Sequence, residues 1–343
     1  MRSAKSRPTL ADVAAQAGVS KSLVSLVMRD EPGASAEARQ RVLDAADQLG
    51  YHPDSRARLL RSGRSRLLGV VFGIQHAFHA DLVTALYSAA RETGYELALS
   101  AVTPDRDESE ATAGLLQDRC EALILLGPQA PTASLARIAA RMPVMVLARS
   151  VRNAAVDVVR TADADGLHQA VDHLVRLGHQ RIAHIDGGRA PGAAERRRGY
   201  RDAMRRHALD RHTRIVPGGL TEEDGAVAVR ALLEDPPTAV TVFNDRCATG
   251  VLHALSHNGL TVPDDLSIVG YDDSRLARLA HVNLTTIAQD TATMTRLAVA
   301  QTINRIEGTA ITRRDVVVPP HLVVRGTTGP PHPVSPFRAA LTR

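Results

Sequence analysis

The chain has 343 residues, of which 44% are hydrophobic, and this length exceeds what one ordinary core holds, so we expect two or three domains. No apolar run reaches the roughly 18–20 residues of a membrane span, and no apolar segment follows the basic start, so we expect neither a membrane anchor nor a signal peptide. The net charge of +5 is confined to residues 1–66, with 12 Lys and Arg against 7 Asp and Glu; residues 67–343 have 30 of each. A basic segment of this kind favours DNA binding.

The two cysteines, Cys120 and Cys247, are far apart and lack the spacing of metal ligands. We expect both to be reduced and buried, as in a cytoplasmic protein. We expect no cofactor and no metal.

Residues 8–30 have the pattern of two short helices joined by a tight turn. Thr9 can cap the first helix through its hydroxyl, and Gly18 can end it, because a left-handed backbone costs glycine little. Ser20 can cap a second helix that runs from Lys21 to about Arg29. Apolar positions recur at helical spacing, at Leu10, Val13, Ala14 and Ala17 and then at Val19, Val24 and Val27. Alone, such a pair also fits a piece of any helical domain.

A third amphipathic helix is predicted from about Ser35 to Leu49, with Val42, Leu43, Ala46 and Leu49 on its buried face. A linker with several arginines follows over residues 50–66. Repulsion between these arginines predicts a segment that is poorly ordered without DNA, because phosphates would neutralise them.

The matching residues of a known pattern are Thr9-Leu10-x-Asp12-Val13-Ala14-x-x-Ala17-Gly18-Val19-Ser20, Val24-Ser25, Leu49-Gly50-Tyr51-x-Pro53 and Ala57-Arg58-x-Leu60. This succession resembles the amino-terminal region of the lac repressor (LacI/GalR) family of bacterial transcription regulators. The resemblance implies that the outer face of the second helix reads the major groove. It also implies a hinge helix in the minor groove, where Leu60 wedges between base steps. The alternative for Leu60 is an ordinary linker leucine that packs on the core.

The predicted DNA-binding residues are Thr9, Ser20, Lys21, Ser22, Ser25, Leu26, Arg29, Tyr51, Ala57, Arg58 and Leu60. Three positions depart from the commonest family pattern: Leu23 replaces Thr, Leu26 replaces Arg and Arg29 replaces Asn. A leucine can contact a thymine methyl but cannot make the bidentate bond of arginine to guanine, so the operator preference cannot be copied from other members. Arg29 is a candidate for a phosphate contact.

From residue 67 on, short apolar strands alternate with amphipathic helices, which predicts doubly wound α/β structure. The first series has strands at 67–72, 96–102, 122–126 and 144–147, and helices at 78–93, 109–117 and 132–140. The second has helices at 165–177, 194–207, 222–233 and 245–258, and strands at 181–185, 214–216, 239–243 and 267–269. Two sheets of about four or five strands each predict two lobes with a ligand cleft at the carboxyl ends of the strands.

The predicted fold is therefore an all-α helix-turn-helix domain at 1–49, a hinge at 50–66 and a core of two lobes at 67–329. The resemblance implies a periplasmic-binding-protein-like core whose chain crosses between lobes near 160, 290 and 319. Lobe 1 would hold about 67–159 and 291–318, and lobe 2 about 160–290 and 319–329. Residues 330–343 form a proline-rich tail that we expect to be disordered. No leucine heptad is present there, so we expect a homodimer rather than a tetramer.

The predicted effector-binding residues are Phe78, Arg196, Asn244, Asp272 and Gln289. Arg196 precedes Gly199-Tyr200 in the family pattern, where the arginine grips the effector through its planar fork. Asn244 is predicted to face the ligand, while Asp245 is mainly structural or caps the next helix. For Gln289, ligand contact and a hydrogen bond at the crossover both remain open.

The first lobe departs from the family after its first strand. Phe78 keeps an aromatic ring that could stack on a sugar, and His76 and His79 favour polar lining over metal binding because no third ligand is identifiable. Ala148 stands where many members have Asp, which removes one acceptor for a hydroxylated ligand. The effector is then a sugar-like metabolite or a compound of another class.

Together, the sequence predicts a dimeric transcriptional repressor that binds a palindromic operator and a small effector. The alternatives are a periplasmic-type solute-binding protein and a corepressor-dependent regulator with a non-sugar effector. An enzyme is not expected, because neither a nucleophile elbow nor a phosphate loop is present in the sequence.

Overall fold

The computed structural model describes residues 8–51, 64–153, 155–310 and 313–332. The chain divides into two compact units, residues 1–65 and 66–343. The predicted hinge residues Ala57, Arg58 and Leu60 lie outside the described residues, as does most of the predicted tail.

The first unit contains three helices, α1 (Leu10–Ala17), α2 (Lys21–Met28) and α3 (Ala36–Leu49). Thr9 and Asp12 form a reciprocal capping box at the start of α1, and Gly18 ends that helix in the left-handed conformation with φ of 62°. The Ser20 hydroxyl accepts a hydrogen bond from the backbone N–H of Leu23 at the start of α2. The predicted helix boundaries and caps are confirmed.

The α1 and α2 axes differ in direction by 105° across a three-residue turn, which is the geometry of a helix-turn-helix. Their core contains Val13, Val24, Val27 and Val42, all at most 3% exposed. The prediction that Leu43 is buried is wrong, since 44% of it is exposed. At 100° per residue, Leu43 lies outside the face on which Val42 and Ala46 pack.

The second unit begins with a sheet of six parallel strands in the order β11-β5-β4-β3-β1-β2. These strands are β1 (Leu67–Gly73), β2 (Glu96–Val102), β3 (Ala122–Leu126), β4 (Val144–Leu147), β5 (Asp157–Thr161) and β11 (Asp315–Val318). The helices α4 (Ala77–Glu92), α5 (Glu108–Gln117), α6 (Thr132–Ala139) and α11 (Thr291–Ile306) complete this lobe. We call it lobe 1.

The other sheet, in lobe 2, has the order β12-β10-β9-β8-β6-β7, and only β12 is antiparallel to its neighbour. Its strands are β6 (Ile182–Asp186), β7 (Arg214–Pro217), β8 (Ala239–Val242), β9 (Ser267–Asp272), β10 (Thr285–Ala288) and β12 (His321–Val323). Its helices are α7 (Asp163–Arg176), α8 (Ala193–Arg206), α9 (Glu222–Glu234) and α10 (Asp245–His257), with a short 3₁₀ turn at Asp210–His212.

The doubly wound architecture is confirmed, but each sheet has six strands rather than four or five. The chain passes between the sheets three times: after β5, after β10 and after β11. The strands β5, β10, β11 and β12 and the helix α11 were missing from the predicted series. Two of the four edge strands, β11 and β12, are short and partly exposed, so they lack the continuous apolar run that reveals β1 or β3.

Both cysteines are buried thiols, as predicted. No single helix within the described ranges is long and apolar enough to cross a membrane. Only α1 and α2 taken together, across their bend, pass on length and composition.

Candidate functional site

The candidate DNA-reading surface lies on α2 and its cap. Ser20, Lys21, Ser22 and Arg29 are exposed, and Ser25 and Leu26 are half-buried. Ser20 uses its hydroxyl as a cap, and Thr9 does the same one helix earlier, so both hydroxyls already have a backbone partner. Within α2, Lys21 and Ser22 are the exposed residues, so their side chains can face the edge of a DNA groove.

Two further predicted DNA-binding residues have partners within the first unit. Arg29 forms an ion pair with Glu31, with 2.9 Å between Nε and Oε1, so a phosphate would have to displace an exposed carboxylate. Tyr51 is half-buried and packs against the core of the three helices. Of the two predicted cations that the structure describes, Lys21 and Arg29, only Arg29 forms an ion pair.

The second unit has a cleft between its two lobes, at the carboxyl ends of both sheets. All five predicted effector residues, Phe78, Arg196, Asn244, Asp272 and Gln289, line it. Its volume is about 60 Å³. Pockets for small-molecule ligands usually hold about 300–1,000 Å³, so the lobes stand in a closed arrangement.

Arg196 is the centre of a buried network in this cleft. Its Nε donates to Asp163 Oδ1 at 2.8 Å, and its Nη1 donates to the carbonyl oxygen of Phe243 at 2.5 Å. Its guanidinium carbon lies 3.5 Å from the ring centroid of Tyr271, in a cation–π arrangement. Its Nη2 lies 3.7 Å from Asp272 Oδ1. The residue is 6% exposed, so its packing is as constrained as that of a core side chain.

Burial and charge oppose each other in this network. Burial disfavours the cation of Arg196, yet Asp163 and Asp272 raise its pKa above the usual range. Burial raises the pKa of Asp163, against the attraction of Arg196. Burial also raises the pKa of Asp272 to about 7, and Arg196 and the hydrogen bond from Gln289 reduce this rise. Burial therefore favours the neutral form of Asp272, and Arg196 favours its carboxylate.

Asn244, and not Asp245, has the helix-capping role that the sequence left open for Asp245. Asn244 caps α10: its Oδ1 accepts from the N–H of Cys247 at 2.7 Å, and its Nδ2 donates to the carbonyl of Leu220 at 3.2 Å. The alternative that Asp245 is the cap is wrong, because Asn244 has the extended backbone of a cap residue. Asp245 is buried and structural, as expected, and accepts hydrogen bonds from Thr286 and the N–H of Ser274.

Gln289 lies at the second crossover and connects the two lobes. Its Oε1 accepts from Thr161 at the end of β5, at 2.5 Å, and its Nε2 donates to Asp272 at 2.7 Å. The crossover role that the sequence left open is therefore present. Gln289 also lines the cleft, so contact with a ligand stays a prediction.

Lobe 1 contributes His76, His79 and Ala148 to the cleft. The His79 Nδ1 accepts a hydrogen bond from the Gly73 N–H at 3.0 Å, and burial lowers the pKa of His79 to about 3, so the ring is neutral. Ala148 has φ of 64°, a left-handed conformation that an aspartate tolerates better than an alanine. Within the described residues, no group of three acidic, histidine or cysteine side chains could hold a metal ion.

A link between the lobes was not apparent from the sequence. Arg246 of α10 donates through Nη1 to the carbonyl of Gln75 in lobe 1 at 2.6 Å, while its Nε contacts Glu222 at 2.5 Å. Arg275 of lobe 2 lies 3.7 Å from Asp81 of lobe 1. Arg246 follows Asn244-Asp245 at the start of a helix, and that position alone gave no sign of a contact across the cleft.

The first prediction concerns Asp245, whose pKa burial raises from an ordinary 3.8 to about 8. The folded state then binds a proton that the unfolded state releases, so this residue lowers stability as the pH rises from about 4 to about 8. Asp245→Asn imitates the protonated form, because its amide can donate to Thr286 and its oxygen can accept from Ser274. We expect the melting temperature of the variant to fall less than that of the parent between pH 5 and pH 8.

The exposed Asp264→Asn serves as the control and should retain the pH dependence of the parent. Equal pH profiles for the parent and Asp245→Asn would show that Asp245 does not hold a proton in the folded state.

A helix-turn-helix unit in one chain with two α/β lobes that enclose a polar cleft defines a ligand-responsive DNA-binding regulator. Comparison with known proteins agrees with this class. Residues 9–54 match the family "Bacterial regulatory proteins, lacI family", and residues 171–328 match "Periplasmic binding protein-like domain". The chain belongs to the lacI family of bacterial regulatory proteins.

The relatives span most of the chain. The HTH-type transcriptional regulator GalR of Salmonella typhimurium is 35% identical over 298 residues, which cover 83% of this chain and 86% of that protein. DegA of Bacillus subtilis is 31% identical over 335 residues, or 94% of this chain and 99% of that protein. These relatives are named as transcriptional regulators, not as enzymes.

Solved structures show the same architecture. A LacI transcriptional regulator from a Rhodococcus species is 51% identical, with a TM-score of 0.76, over 78% of this chain and 99% of that chain. A lac repressor dimer bound to operator and the anti-inducer ONPF is 31% identical, with a TM-score of 0.79, over 94% of this chain and 99% of that one.

Proposed function

We propose that the protein is a transcriptional repressor that binds a palindromic operator as a homodimer and releases or retains it according to a small effector. The solved relative in complex with both operator and anti-inducer supports this proposal. So does the transcriptional regulator CelR in complex with cellobiose, which is 28% identical with a TM-score of 0.68 over 94% of this chain and all of that one. A sugar or a related metabolite is the proposed effector class. We further propose that the protein has no catalytic activity.

The observation that carries the proposal is the closed cleft lined by both lobes. A ligand of the usual size, which needs roughly 300–1,000 Å³, enters only if the lobes separate from the arrangement that holds Arg246 against Gln75. Binding is then coupled to the arrangement of the lobes, and a ligand that favours one arrangement shifts the population toward it. The proposed division into a reading domain at 1–49, a hinge at 50–66 and a core at 67–329 lets that shift act on DNA binding.

The proposed dimer requires an apolar face on each subunit. Lobe 1 exposes Ile74, Tyr87, Leu99 and Val317, and lobe 2 exposes Val227, Leu279 and Val324. These side chains are the candidates for the interface between subunits.

The test of DNA binding uses an operator selected from random duplexes with the full-length protein. We expect a palindromic consensus and an affinity that falls steeply with salt, because bound cations release counterions from the phosphates. A periplasmic-type solute-binding protein, the alternative, would select no DNA sequence, and salt would not change its affinity for DNA.

A second prediction concerns the contact of Arg246 with lobe 1. Arg246→Gln removes a hydrogen bond that holds the lobes closed, which contributes roughly 1 kcal/mol. We expect backbone amides of residues 73–80 to exchange hydrogen about fivefold faster than in the parent, as the opening equilibrium shifts by that amount. Hydrogen exchange with mass spectrometry measures this.

Arg230→Gln makes the same change in charge at an exposed position of α9. It should leave the hydrogen exchange of residues 73–80 unaltered. If both variants exchange like the parent, Arg246 does not hold the cleft closed.

A further inference from the structure

A second cavity lies wholly within lobe 1, in the groove between α5 and α6. It opens at the carboxyl ends of β1, β2 and β3 and has a volume of about 790 Å³. This volume is in the usual range of ligand pockets, roughly 300–1,000 Å³. The groove therefore accommodates a small molecule in the arrangement in which the cleft between the lobes is closed.

The wall of this groove is mainly apolar. Val71 and Leu125 contribute from the sheet, Leu116 from α5 and Ile138 from α6. Leu116 and Ile138 are half-buried at the edge of the lobe's core, so part of each side chain faces the groove. An apolar body of a ligand would remove this surface from water.

The rim has two acidic and two basic side chains, and the two pairs differ in their hydrogen bonding. The acidic side chains are engaged by backbone donors: Asp107 caps α5, and Glu108 Oε2 accepts from the N–H groups of Gln129 and Ala130 at 2.7 and 3.2 Å. Arg137 in the last turn of α6 and Arg141, two residues after the helix ends, line the groove. Within the described residues neither arginine forms an ion pair, and the Arg137 side chain donates one hydrogen bond, to the Ser134 hydroxyl at 3.0 Å.

We propose that this groove is a second ligand site, for a small amphipathic anion with an apolar body and one carboxylate or phosphate group. The apolar body would pack on Leu116 and Ile138. Arg137 and Arg141 would bind the anionic group, since two guanidinium forks match the oxygens of a carboxylate or a phosphate. The site adjoins the effector cleft but uses residues of lobe 1 alone.

Three residues connect the second site to the cleft. His76, His79 and Gly127 line both cavities. The bond from the Gly73 N–H fixes His79 at the boundary between them. A ligand in the groove contacts the same ring and the same peptide that form the cleft wall, so the two ligands change each other's affinity by the same factor.

The test uses the full-length protein and three probes of one shape: 2-naphthoate, 2-naphthyl phosphate and the neutral 2-naphthalenemethanol, titrated calorimetrically. We expect one saturable site per chain for an anionic probe and binding of the alcohol that is at least about tenfold weaker. The tighter of the two anions identifies the preferred group.

Two variants locate the site. Arg137→Gln/Arg141→Gln should weaken binding of the anion at least about tenfold, and Ala113→Trp should block the groove from an exposed position on α5. Arg198→Gln/Arg201→Gln, two exposed arginines of α8, makes the same change in charge and should bind like the parent. Equal binding of the alcohol, no saturable binding of either anion, or parent-like binding by Arg137→Gln/Arg141→Gln would overturn the proposal.

Discussion

Arg196→Ala is expected to abolish the response to the effector and to lower the free energy of unfolding by about 3–5 kcal/mol, which is the usual result of breaking a buried ion pair from one side. The reason is that Asp163 loses its partner at 2.8 Å while it stays buried, and the Phe243 carbonyl loses its donor. The helix-turn-helix unit has its own core, so operator binding should persist below the melting temperature. Thermal unfolding and effector titration of the operator complex measure both effects.

The loss of stability in Arg196→Ala, relative to the parent, should become smaller as the pH falls. Arg196 opposes the rise of the pKa of Asp163 and Asp272, so both carboxyls take up protons at higher pH in the variant, and the neutral forms need no counterion. Arg197→Ala is the matched control, since Arg197 pairs with Asp186 at 2.5 Å but is partly exposed. An unchanged effector response in Arg196→Ala, or the same loss in Arg197→Ala, would contradict the assigned role.

Gly199→Ala is expected to have the second-largest effect. Overpacking should lower the free energy of unfolding by roughly 1–3 kcal/mol or more, and the response to the effector should weaken. A Cβ at Gly199 would lie 2.4 Å from the carbonyl oxygen of Ala164 and 2.6 Å from its Cα. Backbone atoms cannot yield as a side chain does, so α8 must move away from α7. That displacement separates Arg196 from Asp163, which are on these two helices. Chemical unfolding and effector titration measure the two effects.

Gly114→Ala provides the control on α5. The nearest atom to its added Cβ is the end of the Arg106 side chain at 3.3 Å, which can move. Alanine also favours a helix over glycine by about 0.5–1 kcal/mol, so this variant should be at least as stable as the parent. A Gly199→Ala variant as stable as Gly114→Ala would show that the close crossing of α7 and α8 is not required.

Local signals were the part of the fold that the sequence predicted well. The caps at Thr9 and Ser20 and the turn at Gly18 depend on neighbouring residues alone, and a short, wholly apolar run such as β3 is typical of a strand that is buried on both faces. The edge strands β11 and β12 depend on pairing with distant partners, so their short, partly exposed sequences carry little signal. The prediction that Leu43 is buried failed because it considered only that leucine is apolar and not the angle at which the residue projects from the helix.

The site was predicted by residue type and position along the chain but not by its bonding. Motif spacing selected Arg196 among three consecutive arginines, and it alone of the three is buried. Its partner Asp163 lies 33 positions earlier in the chain and no motif selected it, and the burial that raises the pKa of Asp272 exists only once the lobes are folded. The contact of Arg246 with Gln75 joins residues 171 positions apart in different lobes, and no local pattern could reveal it.

The most direct test of the account is the affinity of the full-length protein for its selected operator, measured by fluorescence anisotropy with and without a ligand. The ligands come from a thermal-shift screen of sugars, sugar phosphates, polyols and nucleosides, where a concentration of 100 times Kd adds roughly 2.7 kcal/mol of stability. We predict that a ligand which raises the melting temperature changes operator affinity by about tenfold or more in the parent and not in Arg196→Ala. Equal operator affinity with and without every stabilising ligand would contradict the account.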